Sequence, residues 1–226
     1  MRQVFLDTET TGLYPDQGHR VIEIAAIETF NRRPTGNHFH KYINPEREID
    51  AAAQEVHGIT LEFLQDKPLF DAISDDFIHF VKDCELIIHN APFDVGFLNS
   101  ELGRIGLQPV QQVCGKITDT LKMAKDARPG QRNNLDALCR HFGIDNSRRT
   151  LHGALLDAEL LAEVYMALTR GQDSLMMDLE HEEVMQHNTV SDLSRAKPRV
   201  LIADKDECTA HEKYLEGLES NDKFSW

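Results

Sequence analysis

Four acidic side chains and one histidine stand where solvated charges do not usually fall. In VFLDTETTG, residues 4–12, Asp7 and Glu9 lie two residues apart behind the apolar run Val4, Phe5, Leu6. Alternate residues of a strand share a face, so the two carboxylates project together. Thr-Thr-Gly closes the strand just after them. That places them at the carboxyl end of a core strand, where open α/β sheets bind ligands. In PFDVGFLNSEL, Asp94 shares a helical stripe with Phe97, Leu98 and Leu102. In GALLDAELLAEVYMAL, Asp157 lines up with Leu160, Leu161, Val164 and Leu168. Exposed acids occupy the opposite face of an amphipathic helix, and an ionised carboxylate facing a core needs a compensating charge or hydrogen bonds. Singly, each acid has a plainer reading, as a solvated strand residue or a helix-start residue favoured by the dipole. Together they point to divalent metal. Hard oxygen donors without a thiolate or histidine cluster suit Mg²⁺ or Mn²⁺.

His152 precedes Asp157 by five residues, in LHGALLD. Five helical residues advance about 500°, leaving the two side chains roughly 140° apart, so they cannot share a helix face. If the two act together, His152 belongs to the loop or cap before the helix, with Gly153 as a pivot. An imidazole titrates in the range that suits a general base. Cys84, Cys114, Cys139 and Cys208 are scattered without a CxxC pair. They read as reduced, core-packed thiols of a cytoplasmic protein, with no zinc site of familiar spacing.

The elements that must position these groups follow from local pattern. Residues 2–7, 21–30 and 38–43 read as strands, joined by the short links TGLYPDQGH and NRRPTGN. Links this short cannot form a parallel crossover, so the three strands are expected as an antiparallel meander. The rhythm then changes to helix and strand in alternation. DAAAQEVHG is a short helix closed by Gly58, LFDAISDDFIHFVKD a helix, ELIIHN a buried strand, and PFDVGFLNSELGRIG a helix with Pro92 in its first turn. A strand near VCGKITDT precedes the helices TLKMAKDA, NLDALCRHFG and GALLDAELLAEVYMALTRG. This order implies an α/β domain over residues 1–170 with a mixed five-stranded sheet, three antiparallel strands and then parallel ones, flanked by helices.

Net charge is −14, and residues 171–226 hold thirteen acids against six bases, so half of the excess sits in that last quarter. Such a balance argues against a free-standing nucleic-acid binder, which normally presents a basic face. It leaves room for an enzyme that meets phosphate through metal ions, or one delivered to DNA by a partner. Residues 171–197 read as a flexible acidic linker. Residues 198–226 regain a strand-like run and an amphipathic helix, too small to bury a core alone and suited to folding on a partner. No stretch reaches the roughly 18 apolar residues of a membrane span, and MRQVFLDTE lacks the apolar run of a secretory signal.

DTETTG, HNAPFDVGFL and LHGALLDAELLAEVY resemble the three motifs of the DEDD-type 3′→5′ exonucleases. A tyrosine variant would carry Tyr four residues before the last Asp; Gly153 stands there and histidine one residue earlier, which marks the histidine subclass. The likeness runs on through EIAAIETFNRRPTGNHFHKYINP, VHGIT, KITDTL and RNNLDALCRHFGIDNSRRTLHGALLD. Over residues 2–170 it is similar to the proofreading exonucleases of bacterial replicative polymerases. The resemblance implies a ribonuclease H-like fold and hydrolytic removal of a DNA 3′-terminal nucleotide. It also implies two divalent ions held by Asp7, Glu9, Asp94 and Asp157, with His152 deprotonating the attacking water. Thr10, Leu13, Val56, His57, His89, Asn90 and Phe93 match positions that would hold the terminal nucleotide, together with Asp7, Glu9 and Asp157. His57 as a helix-end cation and Phe93 as plain core are the bland alternatives.

In the tail, QDSLMM resembles a sliding-clamp-binding peptide through Gln172 and Leu175, but Met177 replaces the usual aromatic. Residues 198–219 resemble, in placement, a tether to the polymerase subunit, and a small third core subunit is a further expected partner. The rival readings are a ribonuclease T-like or oligoribonuclease-like RNA trimmer and a non-catalytic scaffold joining polymerase to clamp. A degenerate scaffold loses metal ligands, whereas all four acids and the histidine are present.

Overall fold

The computed structural model describes residues 1–149 and 151–170, together with 205, 207, 209 and 211. The chain divides into two units, Met1–Asp178 and Leu179–Trp226. In the second, Lys205, Glu207, Thr209 and His211 are helical and exposed. The expected linker, clamp peptide and most of the expected tether lie outside the described residues.

The first unit is a five-stranded mixed sheet in the order β3-β2-β1-β4-β5. Its strands are β1 (Arg2–Thr10), β2 (Val21–Phe30), β3 (Arg33–Tyr42), β4 (Glu85–Ile88) and β5 (Lys116–Asp119). The first three form the expected antiparallel meander, and β4 and β5 join parallel to β1. Central β1 is thus antiparallel to one neighbour and parallel to the other. The parallel partner stops early: Ile88 pairs with Leu6, and nothing of β4 lies alongside Asp7. Residues 7–10 overhang that end of the sheet, paired only to β2. The overhang opens the crevice in which α/β sheets take ligands.

Helices cover both faces: α1 (Ala51–His57), α2 (Leu61–Leu64), α3 (Phe70–Val81), α4 (Ala91–Arg104), α5 (Thr120–Ala127), α6 (Leu135–Phe142) and α7 (Ala154–Leu168). Alternation in β1 divides the core. Val4 and Leu6 pack with Phe70, Phe77, Phe97 and Leu98 from α3 and α4. Phe5 faces the other way, onto Leu138, Leu160, Leu161 and Tyr165 of α6 and α7, with the Tyr165 ring centroid 5.4 Å away. Complete burial of a Phe or Leu side chain contributes roughly 1.5–3 kcal/mol, so this double-sided packing fixes the strand that carries Asp7 and Glu9.

Two expected boundaries shift. NRRPTGN is not a loop: the turn is Asn31–Arg32 alone, with φ of 49° and 64°, and β3 begins at Arg33. Two positive φ values give a turn whose twist matches the strands it joins. Arg32 also donates to the Thr169 hydroxyl at 2.8 Å and the Met166 carbonyl at 3.1 Å, tying the hairpin to the end of α7. β1 likewise runs to Thr10 rather than residue 7, because β2 continues to pair with it. α2 was not expected; Thr60 initiates it, its hydroxyl accepting the Phe63 N–H at 3.2 Å.

Candidate active site

Four elements deliver the functional side chains to one cleft of about 480 Å³. The β1 overhang supplies Asp7, Thr8 and Glu9, the first turn of α4 supplies Asp94, α7 supplies Asp157, and the loop before α7 supplies His152. Asp94, Asp157 and Glu9 are buried. The stripes on which Asp94 and Asp157 were expected face the core: Phe97, Leu98, Leu102, Leu160, Leu161 and Val164 are buried, with Leu168 partly so.

His152 sits outside the helix, with Gly153 as the N-cap. Its backbone N–H donates to the Val56 carbonyl at 3.1 Å, anchoring the loop to α1. Its Nδ1 lies 3.6 Å from Asp157 Oδ2. The start of α7 is fixed from the sheet by buried Glu23, whose Oε2 accepts the Ala154 N–H at 3.2 Å and whose Oε1 meets His40 Nε2 at 2.7 Å.

The electrostatics are those of crowded acids. Burial, then repulsion from Asp94, Glu9 and Asp157, pushes the Asp7 carboxyl well above the usual range. Burial, with repulsion from Asp157, Glu23 and Asp94, pushes Glu9 up to about 8. Burial pushes Asp94 up to about 7 despite the Thr8 hydroxyl, which donates to its Oδ1 at 2.7 Å. His152 is lowered by burial and by the Arg149 guanidinium, against the pull of Asp157 and Asp136. Arg149 is the one basic side chain besides the histidines that lines this cleft among the described residues.

This donor set fits divalent metal. One oxygen or nitrogen from each of Glu9, His152 and Asp157 lies within 4.8 Å of the others. Asp7 and Asp94 border the same space. Four carboxylates with a single guanidinium cannot all remain ionised in a buried site unless more positive charge enters.

A second cavity, of about 360 Å³, adjoins the first and shares Thr8, Glu9 and Phe93 with it. The expected nucleotide-binding residues divide between the two. His89 and Asn90 line the cleft with the acids; Thr10, Leu13, Val56 and His57 line the neighbouring cavity; Phe93 borders both. Leu13 and Val56 are exposed, 64% and 46%, and give this cavity an apolar rim. Thr10 turns its hydroxyl to the Gly12 carbonyl at 2.7 Å. His57 accepts the Ile59 N–H on Nδ1 at 3.0 Å, and its buried Nε2 has no hydrogen-bond partner. Burial lowers this ring's pKa. His89 Nδ1 meets the Thr120 hydroxyl at 2.9 Å, and its Nε2 is likewise buried without a partner. Asn90 holds a left-handed conformation (φ 68°) at the start of α4, its N–H on Asp119 Oδ1 at 3.1 Å. Phe93 packs against Phe97 with the rings tilted and their centroids 5.0 Å apart, so it is core and cleft wall at once.

Sequence reasoning missed Thr8, Glu23, Asp136 and Arg149. Thr8 was accessible from strand alternation, since a residue between Asp7 and Glu9 must face the opposite way. Arg149 lies in SRRT, a polar loop with no periodicity, where a basic residue reads as solvated.

Sheet order, crevice and acid cluster are those that the resemblance to the ribonuclease H-like DEDD exonucleases implies. A family described as exonuclease matches residues 4–165. Among solved structures, Exonuclease X in complex with 5′ overhanging duplex DNA superimposes with a TM-score of 0.59 at 25% identity, covering 75% of this chain and 92% of that one. The chain is 47% identical over 224 residues to DNA polymerase III subunit epsilon of Salmonella typhimurium, covering 95% of this chain and 92% of the relative. It is 48% identical over 222 residues to the same subunit of Rickettsia typhi, covering 96% and 97%. The chain belongs to the DNA polymerase III epsilon subunit family, and it is a metal-dependent 3′→5′ proofreading exonuclease. Among the described residues no helix is long and apolar enough to cross a membrane.

Proposed function

We propose that Asp7, Glu9, Asp94 and Asp157 hold two divalent ions, Mg²⁺ or Mn²⁺, and that His152 is the general base at the 3′ end of a DNA strand. The observation that carries this reading is the convergence of four carboxylates and one exposed imidazole on a cleft with too little positive charge of its own. Bound there, the ions supply a water of lowered pKa, a Lewis acid for the leaving 3′ oxygen, and neutralisation of the scissile phosphate. The protein supplies the rest. β1 holds Asp7 and Glu9 rigid, Thr8 aims Asp94, and Glu23 fixes the turn from which His152 and Asp157 diverge. His152, held beside Asp157 by the loop that its N–H anchors to the Val56 carbonyl, accepts a proton from the attacking water.

The terminal base occupies the neighbouring cavity, flanked by Leu13 and Val56, with Phe93 between base and phosphate. Thr10 and His57 border that cavity, and His89 and Asn90 line the adjoining cleft on the phosphate side. The exonuclease selects mispaired ends by fraying: an unpaired terminus reaches a narrow site more often than a paired one. Residues 198–226 attach the enzyme to the polymerase III alpha subunit, and such linkage supplies roughly millimolar local concentration. Gln172, Leu175 and Met177 are a weak sliding-clamp peptide, and the small third subunit of the core is a further partner. The protein works in the cytoplasm.

Hydrolysis of a labelled primer tests the reading, with paired and mispaired DNA ends compared against a short RNA. Mg²⁺-dependent loss of the mispaired DNA terminus, abolished in Asp7→Ala/Glu9→Ala, is expected. Preference for RNA, or an unchanged double variant, contradicts it. Deleting 171–226 is expected to end co-purification with alpha while activity persists; retained binding refutes the tether.

A further inference from the structure

Arg149 occupies the Asp157 carboxylate. Its Nε lies 2.5 Å from Oδ1 and its Nη2 2.6 Å from Oδ2, a two-pronged pair with both side chains almost wholly buried. The same Nη2 is 3.0 Å from His152 Nδ1. The remaining prong, Nη1, is 2.8 Å from Asp136 Oδ1, which also accepts from Asn146 Nδ2 at 3.0 Å. One guanidinium therefore touches a proposed metal ligand, the proposed base and an acid at the rim of the cleft. Its positive charge offsets part of the mutual repulsion of the acid cluster, acting to lower the Asp7 and Glu9 carboxyls against burial.

We infer that Arg149 is the internal counter-cation of this site, positioning Asp157 and His152 in the metal-free enzyme and competing with divalent metal for Asp157. The inference rests on the assignment of Asp157 as a ligand. A planar fork matches a carboxylate with two parallel hydrogen bonds, so both Asp157 oxygens are engaged while Arg149 is seated. Hydrogen-bond donation by Nη2 to His152 Nδ1 likewise occupies a lone pair that could otherwise take a proton or bind an ion. Entry of a cation beside Asp157 brings two positive charges to one carboxylate, and one must withdraw. Asp136, more exposed than Asp157, stays paired to Nη1 and keeps the displaced side chain at the rim. Loading then exchanges one cation for another, and the acids are never left wholly uncompensated.

Calorimetric titration of the full chain with Mn²⁺ tests this, alongside melting in EDTA. In Arg149→Gln the competitor is gone: Mn²⁺ should bind about tenfold tighter, since a like charge within a few ångströms of the site is removed. The melting temperature in EDTA should fall, and the rise on adding Mn²⁺ should exceed that of the wild type. Arg149→Lys, which keeps the charge without the fork, should fall between the two, and serves if the Gln variant does not fold without metal. A residue that only braces the loop would lower stability with and without Mn²⁺ alike and leave affinity unchanged or weaker. Equal or weaker Mn²⁺ binding by both variants overturns the inference. Asp157→Asn separates the two levels: undiminished Mn²⁺ binding there refutes the ligand assignment itself, whatever Arg149→Gln does.

Discussion

Replacing Glu9 by Gln should stabilise the metal-free protein while disabling the enzyme. Glu9 is buried among acids and ionises near pH 8, against 4.5 for an ordinary glutamate. The native state therefore holds a proton that the unfolded chain has released, and wild-type stability falls as pH rises from the lower value to the higher one. Fully expressed, the difference is about 4–5 kcal/mol, at about 1.4 kcal/mol for each pH unit between the two. Water entry and movement of neighbouring side chains relieve part of this, so the Gln variant should gain about 1–3 kcal/mol at pH 8. For a domain of this size that is a rise of roughly 3–10 °C in melting temperature. Thermal melts in EDTA at pH 8 and pH 5 provide the assay. At pH 5, close to the unfolded value, the gain should shrink to under about 1 kcal/mol. With saturating Mn²⁺ the order should reverse, because the wild type alone keeps its full ligand set. A variant less stable than wild type in EDTA at pH 8, or a gain identical at both pH values, refutes the reasoning.

Other perturbations address separate parts of the site. Thr8→Val removes the hydroxyl that holds Asp94 Oδ1 at 2.7 Å; it should cost about 1–2 kcal/mol of stability in Mn²⁺, read by melting, and weaken Mn²⁺ binding. His152→Gln should lower kcat by roughly 10²–10⁴-fold with Mn²⁺ affinity changed only a few-fold, as a lost general base rather than a lost principal ligand. Gly12→Ala would place a Cβ 2.3 Å from His19 Cε1, on a buried ring held by the Thr11 hydroxyl at 3.1 Å. The ring must shift at a cost of about 1–3 kcal/mol, and KM for a single-stranded DNA end should rise more than kcat falls, since Gly12 adjoins Leu13 in the cavity proposed for the base.

Asp94 and Asp157 were legible because a helix repeats every 3.6 residues, so an acid on an apolar stripe is out of phase with its chemistry. Asp7 and Glu9 were legible through the period of two in β1, and His152 through its incompatible phase with Asp157. These signals are local. Arg149 gave none, because its partners Asp136 and Asp157 come together only when α6 and α7 pack. Glu23 is similar: it stands in an apolar strand, VIEIAAIETF, but its role at the start of α7 depends on a contact across 131 residues. The β2–β3 turn escaped because Asn31 and Arg32 adopt positive φ without the glycine that usually announces it. The division of the candidate nucleotide residues into two adjoining cavities was also invisible, since His89 and His57 lie on separate elements joined only by the fold.

A crystal of the protein soaked with Mn²⁺ and a nucleoside 5′-monophosphate, examined by anomalous diffraction, tests the central claim most directly. Two manganese peaks should lie among Asp7, Glu9, Asp94 and Asp157, with His152 facing the phosphate and Arg149 withdrawn from Asp157. Manganese elsewhere, or a nucleotide bound with the carboxylates empty and Arg149 still seated, would contradict the account.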